Sequence, residues 1–374
     1  DGQLSLTATD MDMDIATEVG CAISKAGIVT LSAHLLYDIV RKLPDGAEVD
    51  LSVTEGHASI SAGRSSFRLP TLPVEDFPAI SSSNLPVTFA LTAADLRDLI
   101  DATRFAISTE ETRYYLNGIY FHKSENGDLC AVATDGHRLA LTRQALPSGA
   151  SQMPSVILPR KAVAELRKLL DDYDGEVSVG LSENRAEFSF GAVRLTSKLI
   201  DGTFPDYTRV IPVGNDRIMQ VDSAAFSAAV DRVSTISSEK SRSVKMGLKT
   251  GVLTLSASNS DASSATEELE VNYEGAEMDI GFNAKYLLDI AAQVNHEIIE
   301  SNEVFNLSLK TSIVFEIYRK YTPVGHEHTI QTFRFEVPFP TLVDVDGDGT
   351  HRDLGFNIPG VNTNKVYLWD NFTA

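Results

Sequence analysis

Cysteine is nearly absent from this sequence: Cys21 and Cys130 are the two in 374 residues. Both stand inside apolar, strand-like stretches. They read as reduced, buried thiols of a cytosolic protein and not as a disulfide framework. Long apolar runs are missing too, and none reaches the roughly 18 residues of a membrane span. No Gly-rich phosphate loop follows a strand-like segment, and no Gly-x-Ser-x-Gly elbow accompanies Asp135, Gly136 and His137. His326, Glu327 and His328 are too compressed for the i, i+4 spacing of a helical zinc site. These absences exclude the common catalytic constellations, so the chain is not expected to be an enzyme. Basic residues are also few, 32 against 52 acidic, for a formal net charge of −20. That balance argues against a nucleic-acid partner unless charge is segregated by face.

What is present is repetition. Residues 127–139 read as a strand of small and apolar residues running into a polar turn at Thr134, Asp135 and Gly136. The pattern also occurs at residues 2–10 and 251–259, with Leu4, Leu129 and Leu253 in register, 125 and 124 apart. Amphipathic helical patterns around Asp38, Glu165 and Asp289 keep the same period, 127 and 124 apart. Phe77 and Phe204 stand 127 apart, and Ile107 and Ile236 stand 129 apart. A period this long is a domain and not a solenoid unit, and each repeat is long enough for its own core.

The chain therefore divides into residues 1–87, 88–215 and 216–320, with a tail over 321–374 where the period is lost. The second repeat opens with strand, helix (91–105), loop (108–115) and strand (116–122). It continues through a strand at 129–133, a helix over 160–170, and strands at 176–181 and 186–190. The third repeats that order, with helices at 223–234 and 284–294. The first begins at the equivalent of residue 127, with a helix over 32–42 and a hairpin of strands at 49–60 and 64–69. Its opening strand, helix and strand look missing, so the chain reads as a fragment whose first domain exposes apolar surface and pairs poorly with a second copy. The fold class is α+β: three repeated domains, each of two helices packed on antiparallel sheet, the first incomplete.

In the tail, Asp344, Asp346 and Asp348 alternate into a glycine, as at the start of a calcium loop. Gly355 stands where an EF-hand needs its glutamate, and Asp353 could substitute in a shorter loop. An acidic solvated turn is the simpler reading. The alternative function is a binding module acting through a calcium-binding tail.

Residues 112–118 (Thr-Arg-Tyr-Tyr-Leu-Asn-Gly), 135–140 (Asp-Gly-His-Arg-Leu-Ala), 158–161 (Leu-Pro-Arg-Lys), 197–207 and 281–290 resemble the bacterial DNA polymerase III beta subunit, the replicative sliding clamp. The likeness covers about residues 1–295. It implies three similar domains per chain and a head-to-tail homodimer forming a six-domain ring in the cytoplasm. Duplex DNA would pass through the hole without sequence specificity, with no cofactor and no membrane association. Its partners would be the polymerase III alpha subunit, the clamp loader and other proteins carrying clamp-binding peptides.

By resemblance, the peptide pocket would include Tyr115, Leu116, Thr134, Gly136, His137, Leu139, Pro205 and Val210, with Arg138 and Arg209 at its rim. Helix-borne Arg41, Lys42, Arg97, Arg104, Arg160, Lys161, Arg167 and Lys168 would face DNA, with Arg113 and Tyr114 on a nearby loop. Phe67, Leu69 and Ile236 would meet at the dimer interface. One departure is the sequence after residue 320, which lacks the family's Met-Pro-Met-Arg segment and ends in Asp370, Asn371, Phe372, Thr373 and Ala374.

Overall fold

Thr92 is the N-cap of the first long helix of the second repeat. Its Oγ1 accepts from the Asp95 N–H at 3.0 Å and donates to Asp95 Oδ2 at 2.7 Å. Asp222 does the corresponding work in the third repeat, accepting from Ala225 N–H at 2.7 Å. These caps fix where each helix leaves its strand, and so which sheet it packs against. The computed structural model describes residues 2–54, 56–78, 84–211, 217–237, 242–259, 262–294, 305–309, 312–321 and 329–338. Asp344, Asp346, Asp348 and Asp353 lie outside these, so the calcium reading of the tail does too.

The first unit contains β1 (Gly2–Thr9), β2 (Met13–Cys21), α1 (Ala33–Val40), β3 (Asp50–Thr54), β4 (His57–Ala62) and β5 (Ser65–Pro70). The second runs β6 (Val87–Thr92), α2 (Ala93–Arg104), β7 (Gly118–Lys123), β8 (Asp128–Thr134), β9 (Leu139–Ala145) and β10 (Val156–Pro159). It ends with α3 (Arg160–Leu169), β11 (Glu176–Leu181), β12 (Arg185–Phe190) and β13 (Val193–Lys198). The third repeats that order: β14 (Arg217–Val221), α4 (Ser223–Ser234), β15 (Ser243–Lys249), β16 (Val252–Ser258) and β17 (Ser264–Glu270). After these come β18 (Met278–Asn283), α5 (Ala284–Val294), β19 (Phe305–Leu309), β20 (Ser312–Tyr321) and β21 (Thr329–Pro338).

Residues 49–60, expected as one strand, form two. The chain turns at Gly56, whose φ of +73° glycine adopts without steric cost, and the hairpin becomes a three-stranded meander. Residues 108–115, expected as loop, lead into a short 3-10 helix over Glu111–Leu116.

Sheets run across the unit boundaries. β2 pairs antiparallel with β13, making one sheet in the order β1-β2-β13-β12-β11-β6. β9 likewise pairs with β21, in the order β10-β7-β8-β9-β21-β20-β19-β14. Leu195 stands opposite Ile15 at the first boundary and Phe335 opposite Ala140 at the second. Ile15 and Ala140 hold the same place in their hairpins, so both junctions share one register.

The core runs between helices and sheets of the second and third units, with Leu96, Leu99, Ile100, Leu166 and Phe226 fully buried. The first unit differs. Leu4 is 37% exposed, whereas its repeat counterparts Leu129 and Leu253 are 1% and 0% exposed. Apart from Tyr114, every large apolar side chain found exposed among residues 2–54, 56–78, 84–211, 219–237, 242–259 and 262–293, where burial is described, lies between Leu4 and Val74. The cause is local: β8 and β9 are covered by α2 and β11 is flanked by β6, while among the described residues β1 and β3 have no such neighbours.

Candidate functional site

The outer face of β7–β10 carries a second, smaller apolar cluster. Leu116, Val132, Leu139, Leu141 and Ile157 come from the sheet side, and Phe204 and Tyr207 from the segment after β13. That segment is tied down where Ile200 N–H donates to the Ile157 carbonyl at 3.0 Å. Phe204 stacks on Tyr120 with ring centroids 4.6 Å apart, and Tyr120 stacks on His122 at 4.8 Å. Tyr115, Val210 and Ile211 lie half-buried against the same cluster. The result is an apolar floor beside a partly open ledge.

Of the expected pocket residues, Leu116 and Leu139 are buried in this floor, and Tyr115, Pro205 and Val210 are half-buried around it. Arg209 is exposed on a short 3-10 helix (Tyr207–Val210), where it pairs with Asp206 at 3.0 Å. Thr134 and Gly136 are buried and build the β8–β9 turn. Thr134 Oγ1 donates to the Arg138 carbonyl at 2.7 Å and accepts from Gly136 N–H at 3.1 Å. Asp135 Oδ1 accepts from the N–H groups of His137 and Arg138 at 2.9 and 3.0 Å. Gly136 has φ +86°, and a Cβ there would run into the Arg113 guanidinium. His137 is exposed at the tip, its ring 6.5 Å from that of Tyr286.

Arg138 is not at the rim. It is 5% exposed, because the following unit closes over it. Its guanidinium donates to Asp135 (3.1 Å), Asp289 (2.6 Å) and the Phe105 carbonyl (2.5 Å), and lies over the Tyr286 ring at 4.6 Å. Burial, with the Asp135 charge next, pushes the Tyr286 hydroxyl up to about 12. Burial likewise pushes Tyr207 up to about 12.

The basic helix residues divide into two groups. Arg97 and Arg167 turn inward, because backbone carbonyls just past α3 claim the first and a carboxylate of α2 claims the second. Arg97 donates to the carbonyls of Leu170 (2.7 Å) and Tyr173 (2.6 Å). Arg167 donates to Asp101 of α2 at 2.7 Å and also pairs with Asp171. These two join α2 to α3. Arg41, Lys42, Arg104, Arg160, Lys161 and Lys168 are exposed. Arg41 pairs with Asp38, Arg104 with Asp101 and Lys168 with Glu165, while Lys161 reaches Asp10 of the first unit. Arg113 lies 3.6 Å from Glu110, and Tyr114 is exposed beside it.

At the expected interface, Phe67 is half-buried, and Leu69 points inward into a small core with Ile39 and Ile60. Ile236 is half-buried just after α4. Among the described residues, no group of three or more His, Cys, Asp or Glu could hold a metal ion. No helix among them is long and apolar enough to cross a membrane.

Three family models match in order: the N-terminal (residues 1–81), central (90–206) and C-terminal (208–319) domains of the DNA polymerase III beta subunit. The beta sliding clamp of Caulobacter vibrioides is 52% identical over 297 residues, 78% of this chain and 80% of that protein. That of Escherichia coli is 40% identical over 293 residues, 78% and 79% of the two chains. A crystal structure of the Bartonella birtlesii sliding clamp bound to griselimycin superposes with a TM-score of 0.83. It is 46% identical and covers 91% of this chain and 89% of that one.

Proposed function

The chain belongs to the DNA polymerase III beta subunit family, the bacterial sliding clamps, and we propose that two copies pair head to tail into a ring around duplex DNA. A sliding clamp is not an enzyme; its work is to hold replication proteins on DNA, here in the bacterial cytoplasm. The calcium-module alternative is not favoured.

The observation that carries the ring is the shared register of β2 with β13 and of β9 with β21. Each hairpin strand of one unit docks on the last strand of the next. Among the described strands, β17, the counterpart of β2 and β9, and β5, the counterpart of β13 and β21, each stand at a sheet edge. Joining them in a second copy closes the cycle, and a closed heterologous contact gives a ring instead of a filament. Keeping the register sets Phe67 opposite Ala265 and Arg68 opposite Ser264.

In such a ring the exposed cations Arg41, Lys42, Arg104, Arg160, Lys161 and Lys168 would meet phosphates, with Arg113 and Tyr114 nearby. Attraction without base contacts permits sliding. The ledge by Leu116, Leu139, Pro205, Arg209 and Val210 would take the apolar side chains of a clamp-binding peptide, such as that of the polymerase III alpha subunit. The Bartonella clamp's binding of griselimycin makes that compound a useful competitor.

The test is a cysteine pair, Phe67→Cys with Ala265→Cys, in a Cys21→Ser background and treated with a short bismaleimide. The proposal expects a covalent dimer with both junctions linked. Cross-links that form only in a concentration-dependent ladder of higher oligomers would refute closure.

A further inference from the structure

The turn that carries His137 is fastened to the next unit through Arg138, and we infer that this lock couples peptide binding to the docking of the second and third units, with Asp289 and Tyr286 as positioning residues. The inference rests on the pocket reading proposed above.

Thr134 and Asp135 satisfy the turn's own backbone, so its shape is set from within. Its placement is set from outside, by two side chains. Arg138 binds Asp289 of α5 and the Phe105 carbonyl at the end of α2, and its flat face is covered by Tyr286 at 4.6 Å and Phe105 at 5.3 Å. His137 lies over the same Tyr286, rings inclined by 22°. Asp135 and Asp289 together face one guanidinium, which leaves no buried cation unpaired. Leu139, the next residue along, is 3% exposed and belongs to the pocket floor. A shift of α5 therefore moves His137 and Leu139 together.

The first junction is built differently. There the equivalent turn reaches the next unit through solvent-exposed ion pairs, Asp10 with Lys161 (lysine side chain 65% exposed) and Asp12 with Lys198 at 3.1 Å, beside a backbone hydrogen bond from Lys198 N–H to the Asp12 carbonyl at 2.8 Å. Such pairs are screened by water and hold little. The buried, multidentate lock occurs where the candidate pocket lies. Coupling of this kind is reciprocal: a bound peptide would also tighten the junction.

The experiment titrates the full chain with a fluorescein-labelled clamp-binding peptide of the polymerase III alpha subunit and follows amide exchange in residues 135–138. Asp289→Asn and Tyr286→Leu, neither lining the pocket, are each expected to weaken the peptide about tenfold and to speed exchange in the turn. Asp289→Glu should restore affinity to within about twofold, which general damage to α5 would not allow. Unchanged affinity in both weakened variants, with wild type binding, overturns the coupling and leaves the pocket standing. Wild type that binds no peptide overturns both. Weaker binding with unaltered exchange in the turn overturns the positioning role.

Discussion

His122 and Tyr207 share a hydrogen bond, imidazole Nε2 to phenolic oxygen at 2.9 Å. The Lys123 carbonyl, 3.0 Å from Nδ1, can only accept, so Nδ1 carries the proton and Nε2 accepts from the tyrosine. The bond ties the short helix bearing Arg209 and Val210 to β7, and so sets the ledge of the candidate pocket.

Protonation should loosen that tie. Burial holds His122 below its usual value of about 6.5; the Lys123 carbonyl opposes this and Arg143 reinforces it. A folded value below the unfolded one means the contribution to stability is complete above about pH 6.5 and declines as pH falls toward the folded value. Urea unfolding at pH 7.5 and 5.5 should show wild type losing more stability on acidification than His122→Gln. Equal losses in the two proteins would remove His122 from the account.

The pocket floor and its ledge should respond differently to truncation. Leu139→Ala removes a buried side chain and should cost about 2–4 kcal/mol of stability. Val210→Ala, at the half-buried ledge, should cost about 1 kcal/mol or less of stability and weaken peptide binding roughly three- to tenfold. Chemical denaturation and anisotropy on the two variants separate these effects.

Much of this was legible in the sequence, because a repeated pattern is visible wherever it falls. Leu4, Leu129 and Leu253 exposed the period, and the helices at 223–234 and 284–294 follow from apolar spacing alone. Strand β13 was not legible: Val193 and Leu195 are its two apolar residues in six, and its partner β2 belongs to another unit. The alternation through residues 49–60 hid the turn at Gly56, since glycine interrupts no hydrophobic pattern. The burial of Arg138, which the resemblance sets at the rim, is hidden for a related reason. A charged residue reads as exposed until its partner is known, and Asp289 is 151 residues away. Phe204 was visible as a repeat position, but nothing local says that it stacks on Tyr120.

The first unit should be less protected than the second. Leu4, Leu51 and Val53 are exposed where the second unit buries Leu129, Val179 and Leu181. Hydrogen exchange should therefore run faster in β1–β5 than in β6–β13, by a factor of ten or more for about 1.4 kcal/mol of local stability. Uniform protection across the two units would contradict this.

Inward and outward cations should separate by salt dependence. Lys168→Ala should lower the slope of log binding constant against log salt for duplex DNA by about one. Arg97→Ala should leave the slope unchanged and lower stability, because it removes donors to the carbonyls just past α3.

The central claim is that two chains close around DNA, and topology tests it most directly. Chains carrying Phe67→Cys and Ala265→Cys, in the Cys21→Ser background, would be cross-linked in the presence of a nicked circular plasmid and passed through gel filtration in high salt. A closed ring should stay with the circle and come off once the plasmid is cut at a single site. Protein that leaves the intact circle in high salt, or stays on the linear form, would contradict the ring.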